Sequence, residues 1–400
     1  MVATNKSVFS AQQIADYQEQ GYLILRNVLS RTEADDLRKL TRQELDRLSF
    51  PASLRYPAPG KYTISGNNFA EPGFASVVDH PTVVDAVECL LGEPAHLTAY
   101  VAYLRSPGDK GSGAHCDYKR WRPVGSSMNW LFAIIPLTDF SAGYGPLLVS
   151  PGSHKLLDVF DKSARIWDVS RPDAKQLPDF IDPDLQAGDL LLLHGGTWHK
   201  APAGTTQEDR AGIFNKYCGI SSPPAAGYYP YNRAAYEALS DQGKHLIPGP
   251  SDKPILTTRL LIEDAANGES RYLVQEAEGG TGLQLPGGVG WEEENAGWDV
   301  GARIGSLQSL AQEELGVEVP WMSYIDDVDE GEGRCRLYGH VDPELDSVSV
   351  GSEQSWLTEG ELLGKLGESD PICHAVQSWK REGVIRGKGK AISQSKKQFE

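Results

Sequence analysis

The tripeptide His115-Cys116-Asp117 is the stretch whose residue types and spacing point most directly to chemistry. On an extended segment, side chains two apart project to the same side. The His115 imidazole and the Asp117 carboxylate can therefore close on one cation while Cys116 points away. Two histidines and one carboxylate on one face, with the other coordination positions open, form the facial triad of non-haem Fe(II) oxygenases. The tripeptide supplies two of those ligands, and a distant histidine must supply the third. His80, His96, His154, His194 and His199 are the candidates. Arg210 bears on that choice, because such an oxygenase needs a buried cation for the distal carboxylate of a 2-oxo acid, and arginine offers a bidentate fork. A hairpin running out through His199 and back through Arg210 would set both on neighbouring strands. Strand alternation does not separate His194 from His199, since Gly195 and Gly196 break the phase between them.

The elements that must position these residues follow from patterning. Ser10 caps a helix over 11–20 that ends at Gly21, and 22–28 reads as a strand. Ser30 with Glu33 is a capping box opening a helix to about residue 48. The segment 49–73 is rich in Pro, Gly and Asn and reads as a loop, with Lys61, Tyr62, Asn67 and Asn68 as candidates to line a lid. A helix is expected over 81–91. Strands are expected over 97–105, at His115, and over 130–137, 190–193 and 211–219. Many short strands joined by Gly/Pro turns behind helices indicate a jelly roll.

At this point the sequence resembles the phytanoyl-CoA dioxygenase-like branch of the Fe(II)/2-oxoglutarate-dependent oxygenases. The resemblance spans about residues 9–217. It rests on Gly21-Tyr22, His115-Cys116-Asp117, Gly145-Pro146-Leu147, Pro151-Gly152-Ser153-His154, and Gly188-Asp189 followed by His194, His199 and Arg210. It implies a double-stranded β-helix (jelly roll) with flanking helices. It also implies Fe(II) on His115, Asp117 and His199, 2-oxoglutarate gripped by Arg210, and His194 in a supporting place. The implied reaction consumes O2, converts 2-oxoglutarate to succinate and CO2, and hydroxylates a small molecule. Halogenating relatives lack the triad carboxylate, so Asp117 argues for hydroxylation. An aromatic residue that some relatives carry near Ile134 is absent here, leaving Asn129 and Trp130 as candidate co-substrate contacts. Tyr118, Lys119, Arg120, Trp121 and Arg122 lie near the substrate in relatives, and three cations among them would suit a polar or anionic substrate.

Between residues 223 and 252 the composition shifts to proline and tyrosine, which marks a linker. Beyond it, Leu285-Pro286-Gly287-Gly288, a helix over 300–315 containing Glu313 and Glu314, and Trp356-Leu357-Thr358 resemble a Nudix domain over 253–385. Nudix domains are α/β folds that hold Mg2+ on helix glutamates and hydrolyse nucleoside diphosphates. Ser309 and Leu310 stand where the signature arginine and glutamate belong. The resemblance therefore implies a degenerate module for docking, homo-oligomer contact or ligand sensing, with nucleotide binding or hydrolysis as the alternative activity. The acidic stretch 326–332 reads as a loop between strands, and 386–400 as a disordered tail.

A chain of 400 residues fits two domains. Its formal net charge of -17 argues against a nucleic-acid polymer or an anionic membrane as partner. No stretch approaches eighteen apolar residues and the first nine carry no apolar leader core, so a soluble, cytoplasmic protein is expected. Five scattered cysteines without CxxC spacing suggest neither a disulfide framework nor structural zinc.

Overall fold

The computed structural model describes residues 8–47, 61–65, 69, 71–116, 129–156, 176–222, 224, 227–229, 231–265, 269–277, 282–290, 300–319, 322–342 and 353–381. Asp117, Tyr118, Lys119, Arg120, Trp121 and Arg122 lie outside the described residues, as do Asn67, Asn68 and the tail 386–400.

Helix α1 (Ala11–Gln20) has the expected capping box, with the Ser10 hydroxyl accepting from the Gln13 amide and the Gln13 side chain returning to Ser10. It ends at Gly21, and strand β1 (Tyr22–Leu25) follows. Helix α2 (Arg31–Arg47) opens on the Ser30/Glu33 box, where the Ser30 amide donates to Glu33 at 2.7 Å. The segment read as loop contains strand β2 (Lys61–Ser65), and helix α3 (Pro72–Val78) begins at its last two residues. Strand β2 is an edge strand held by pairing with β4 (Val101–Arg105), a long-range contact that local composition does not encode. Helix α4 (Pro81–Leu91) runs as expected. The expected strand over 97–105 is two strands, β3 (Ala95–Ala99) and β4, on either side of the buried Tyr100.

The large sheet also contains β6 (Trp130–Pro136), β8 (Leu190–His194) and β10 (Arg210–Gly219). Its order is β1-β8-β6-β10-β4-β2, with β3 also pairing β10, and every pairing is antiparallel. A small sheet of β5 (Ser112–His115), β9 (His199–Ala201) and β7 (Leu148–Val149) faces it. Tyr103, Phe132, Ile134, Leu191 and Leu193 of the large sheet and Val149 of the small one share a buried cluster. The outer face of the large sheet, through Leu131, Ala133, Ile135, Leu190, Leu192, Ala211 and Ile213, packs on the helices. Two sheets enclosing one core and backed by helices form the double-stranded β-helix. The proline-rich stretch 223–252 departs from the linker reading. It contains helix α5 (Arg233–Ala238), and Tyr231, Ala235, Leu239, Leu246 and Ile247 are buried in the helix-side core of the barrel.

The C-terminal part has a mixed sheet ordered β13-β12-β11-β16-β15. Its strands are β11 (Ile255–Asp264), β12 (Arg271–Glu276), β13 (Leu283–Gln284), β15 (Ser323–Glu330) and β16 (Gly333–Asp342). Strand β14 (Gly287–Gly290) joins at β11 and β17 (Gln354–Thr358) at β12. Helix α6 (Val300–Leu315) covers one face through Leu307, Ala311 and Leu315. Helices α7 (Glu359–Leu366) and α8 (Pro371–Arg381) cover the other through Leu362, Ile372, Val376 and Trp379. The acidic stretch read as a loop is mostly strand β15, because Asp326–Glu330 pair with β16 and Asp327 receives the buried Arg336 guanidinium. Glu313 and Glu314 are exposed on the last turn of α6. Among the described residues no helix is long and apolar enough to cross a membrane.

Candidate active site

His115 ends β5 and His199 begins β9, and the antiparallel register sets them directly opposite each other. Directly opposed residues of an antiparallel pair share a face, and their rings lie 4.4 Å apart between centroids. Nδ1 of His115 is 2.7 Å from the Gly113 carbonyl oxygen, and Nδ1 of His199 is 3.0 Å from that of Thr197. A ring that donates from Nδ1 to a carbonyl carries its lone pair at Nε2, the arrangement that orients a metal-binding histidine. Gly111 lets β5 approach β9 this closely. Its φ is +82°, and a Cβ there would lie 2.3 Å from the Ala201 carbonyl oxygen. On its other edge β9 pairs with β7, where His199 faces Val149, a member of the cluster between the sheets. His199 therefore points inward and is buried.

Arg210 enters the same interior from the large sheet. It is 3 % exposed, its guanidinium carbon lies 3.8 Å from the Phe140 ring centroid and 5.8 Å from that of Tyr103, and both rings belong to the Val149 cluster. Its Nε and Nη2 are buried and make no hydrogen bond among the described residues. Burial holds its pKa down to about 10. The start of β10 is fixed by the preceding residue, since the buried Asp209 accepts from Arg38 Nε at 3.0 Å and also pairs with Arg42, both on α2. A desolvated guanidinium with two orphaned N–H groups fits a planar carboxylate. Two facing imidazoles, each held at Nδ1 by a backbone carbonyl, fit a divalent transition metal. Among the described residues no group of three His, Cys, Asp or Glu is placed to hold a metal, and Asp117, the sequence candidate for the third position, lies outside them.

His194, the other half of the H-x4-H stretch, faces the opposite way. It lies on the alternation of Leu190 and Leu192, toward the helices, with its ring 4.9 Å from that of His154 and 6.4 Å from that of Tyr17 on α1. Its Nδ1 accepts from the Gly196 amide at 3.1 Å, and burial lowers its pKa to about 3. The other motif residues knot this corner together. Gly21 accepts at its carbonyl from Thr197 Oγ1 and from the His194 amide, both at 2.9 Å, while His154 Nε2 meets the Gln18 carbonyl at 3.0 Å. Gly21-Tyr22 and Pro151-Gly152-Ser153-His154 thus clamp α1 onto the turn leading to His199.

His80 and His96, the remaining candidates, are placed elsewhere. His80 is the N-cap residue of α4, and His96 Nδ1 lies 3.0 Å from Tyr228 Oη. Asn129 gives its carboxamide N–H groups to the Leu91 carbonyl at 2.7 Å and to Glu93 at 2.8 Å, and the Trp130 indole donates to the Ser222 carbonyl at 3.1 Å. Both make structural contacts where the sequence offered them as co-substrate contacts. Tyr103 and Phe140, which the sequence reading passed over, wall the guanidinium, and Phe214 packs behind them, with its ring 4.7 Å from that of Tyr103. Counting by twos from Arg210 along β10 would have found Phe214.

Residues 17–212 match the family model of phytanoyl-CoA dioxygenase (PhyH). The chain is 25 % identical over 243 residues to the dioxygenase af480 of Aspergillus fumigatus, covering 58 % of this chain and 75 % of that one. It is 24 % identical over 247 residues to the ectoine dioxygenase of Bordetella parapertussis, covering 55 % and 80 %. Among solved structures it is similar to the non-haem α-ketoglutarate-dependent carbocyclase SnoK from nogalamycin biosynthesis, with a TM-score of 0.46 and 22 % identity over 58 % of this chain and 92 % of that chain. Residues 17–212 are thus a phytanoyl-CoA dioxygenase-like domain, and the chain is a dioxygenase of the Fe(II)- and 2-oxoglutarate-dependent kind.

Proposed function

We propose that this dioxygenase hydroxylates a small-molecule metabolite, with Fe(II) held by His115, Asp117 and His199 and the distal carboxylate of 2-oxoglutarate held by Arg210. The observation that carries this reading is the convergence, in one interior, of the His115/His199 pair and a buried guanidinium with orphaned donors. Iron and 2-oxoglutarate, when bound, supply the oxidising power, with O2 consumed as 2-oxoglutarate is converted to succinate and CO2. The chain's own residues bind and orient. The Gly113 and Thr197 carbonyls fix the ring planes of the two histidines. Phe140 and Tyr103 exclude water from the guanidinium and so strengthen its pairing with an anion. For the C-terminal layers we propose docking, including contact with a second copy, because Glu313 and Glu314 stand on an exposed helix end without the rest of the hydrolase signature.

Purified anaerobically and loaded with Fe(II), the protein should bind one iron and release succinate from 2-oxoglutarate slowly even without a primary substrate, and Asp117→Ala should abolish both. Stoichiometric iron without 2-oxoglutarate turnover across a broad metabolite panel would refute the assignment.

A further inference from the structure

The stretch that joins the barrel to the C-terminal layers reaches into both. On the barrel side, Val101, Trp130 and Cys218 continue the inward alternation of Tyr103 on β4, Phe132 on β6 and Phe214 on β10. They belong to one buried cluster, and Tyr228 packs against it. The Tyr228 side chain hydrogen bonds with the buried Cys218 thiol, and its Oη lies 3.0 Å from His96 Nδ1. Cys218 is eight positions beyond Arg210 on β10, roughly 27 Å along an extended strand. Tyr228 therefore stands at the end of the barrel away from the guanidinium. The chain turns toward His199 at this same end, where the Gly195 amide donates to the Trp130 carbonyl at 3.0 Å.

The C-terminal sheet holds the same residue from the other side. The Tyr228 carbonyl accepts from Arg336 Nη2 at 2.6 Å, and its ring meets that of Tyr324 edge-on at 5.9 Å. Arg336, on β16, is buried, and Asp327 on β15 takes its Nε at 2.7 Å and its Nη2 at 2.8 Å. Its guanidinium carbon lies 5.2 Å from the Tyr324 ring centroid. A guanidinium paired in this bidentate way is fixed in plane and direction, and so is the carbonyl it grips. Gly227 lets the chain come this close, since its φ is +82° and a Cβ there would lie 2.6 Å from Tyr324 Cδ2 and 2.9 Å from Arg336 Nη1.

Phe140 and Tyr103 close the interior around Arg210, which leaves the opposite end for a primary substrate. We propose that Tyr228 is a wall of that substrate end and that Arg336 is a positioning residue acting through it, so that the C-terminal layers take part in substrate recognition. This rests on the oxygenase reading for what the interior binds, whereas the seal that Tyr228 makes over Cys218 is tested without iron.

The first readout is alkylation of Cys218 by iodoacetamide in the full-length protein, followed by peptide mass spectrometry. Cys335 and Cys373, buried in the C-terminal core, report on unfolding in the same samples. Gly227→Ala and Tyr324→Leu should each label Cys218 at least about tenfold faster than wild type, with Cys335 and Cys373 within about threefold. Tyr324→Phe keeps the ring and should match wild type. The second readout uses the metabolite that the panel above identifies as turned over. On it, Gly227→Ala and Tyr324→Leu should raise KM about tenfold with kcat within about threefold, a split that lost stability does not produce. Should Gly227→Ala unfold the C-terminal layers, Tyr324→Leu, which leaves the Arg336–Asp327 pair in place, decides. Cys218 labelling unchanged in the folded variants, or KM unchanged while Cys218 is exposed, overturns the proposal. A panel without turnover would sink the oxygenase reading and the substrate role with it, while the labelling still decides whether the C-terminal layers seal the barrel.

Discussion

Replacing Arg210 with methionine should move stability and co-substrate affinity in opposite directions. The guanidinium is 3 % exposed, stacked at 3.8 Å on Phe140, and two of its nitrogens have no partner among the described residues. The drop in its pKa from the ordinary guanidinium value to about 10 corresponds to roughly 3 kcal/mol of unfavourable burial. For a base whose folded pKa is depressed, the unfolded chain binds more protons only between the two values. Stability therefore rises with pH from about 10 up to the ordinary guanidinium value, and the whole penalty is present at neutral pH. A methionine fills much of the same volume without the charge, so Arg210→Met should stabilise the ligand-free protein by about 1–3 kcal/mol. A carboxylate bound to Arg210 turns that penalty into a charge-assisted pair, and removing one partner of a buried pair costs about 3–5 kcal/mol. The variant should therefore bind 2-oxoglutarate more weakly by about two to four orders of magnitude. Denaturant melts without 2-oxoglutarate, together with anaerobic calorimetry of Fe(II)-loaded protein, read both quantities. A ligand-free variant less stable than wild type, or one that keeps its 2-oxoglutarate affinity within threefold, would refute the reasoning.

Three further outcomes are expected. His199→Ala should lose bound iron by orders of magnitude in metal analysis while His194→Ala retains it, because the first ring faces the interior and the second faces α1; the reverse result would exchange their roles. Burial lowers the His194 pKa to about 3, so the unfolded chain binds the extra proton below about pH 6.5 and stability falls as pH drops toward the folded value. This histidine alone should cost on the order of 1–2 kcal/mol between pH 6.5 and 5, and urea melts of His194→Gln should show a shallower acid slope than wild type. Gly21 has φ +77°, and a Cβ there would lie 2.4 Å from both His154 Nδ1 and Thr197 Oγ1; Gly21→Ala should destabilise by about 2 kcal/mol or more, and an unchanged melting temperature would show that the corner relaxes freely.

The sequence by itself determined what is local. The Ser10 cap, the Ser30/Glu33 box, the helix end at Gly21, and the spans of α1, α4 and α6 agree with the patterning within a few residues. Capping and hydrophobic period act over one or two turns and can be read from neighbours. Tertiary structure decided whatever depends on pairing across the chain. Strand β2 exists because β4 offers it an edge, and the segment 223–252 is packed because the barrel offers Tyr231 and Leu246 a core. The partner of His115 is a case of the same kind. Two glycines break the alternation between His194 and His199, so no count along the chain carries the phase from one to the other. The structure separates them by sheet, with His194 ending a strand of the large sheet on its helix face and His199 opening a strand of the small sheet opposite His115. The inward turn of Phe214 was legible in principle, by twos from Arg210, but only its packing on Tyr103 shows which face of β10 is inside. A strand's period is set by its own backbone, whereas its phase is set by what lies on either side.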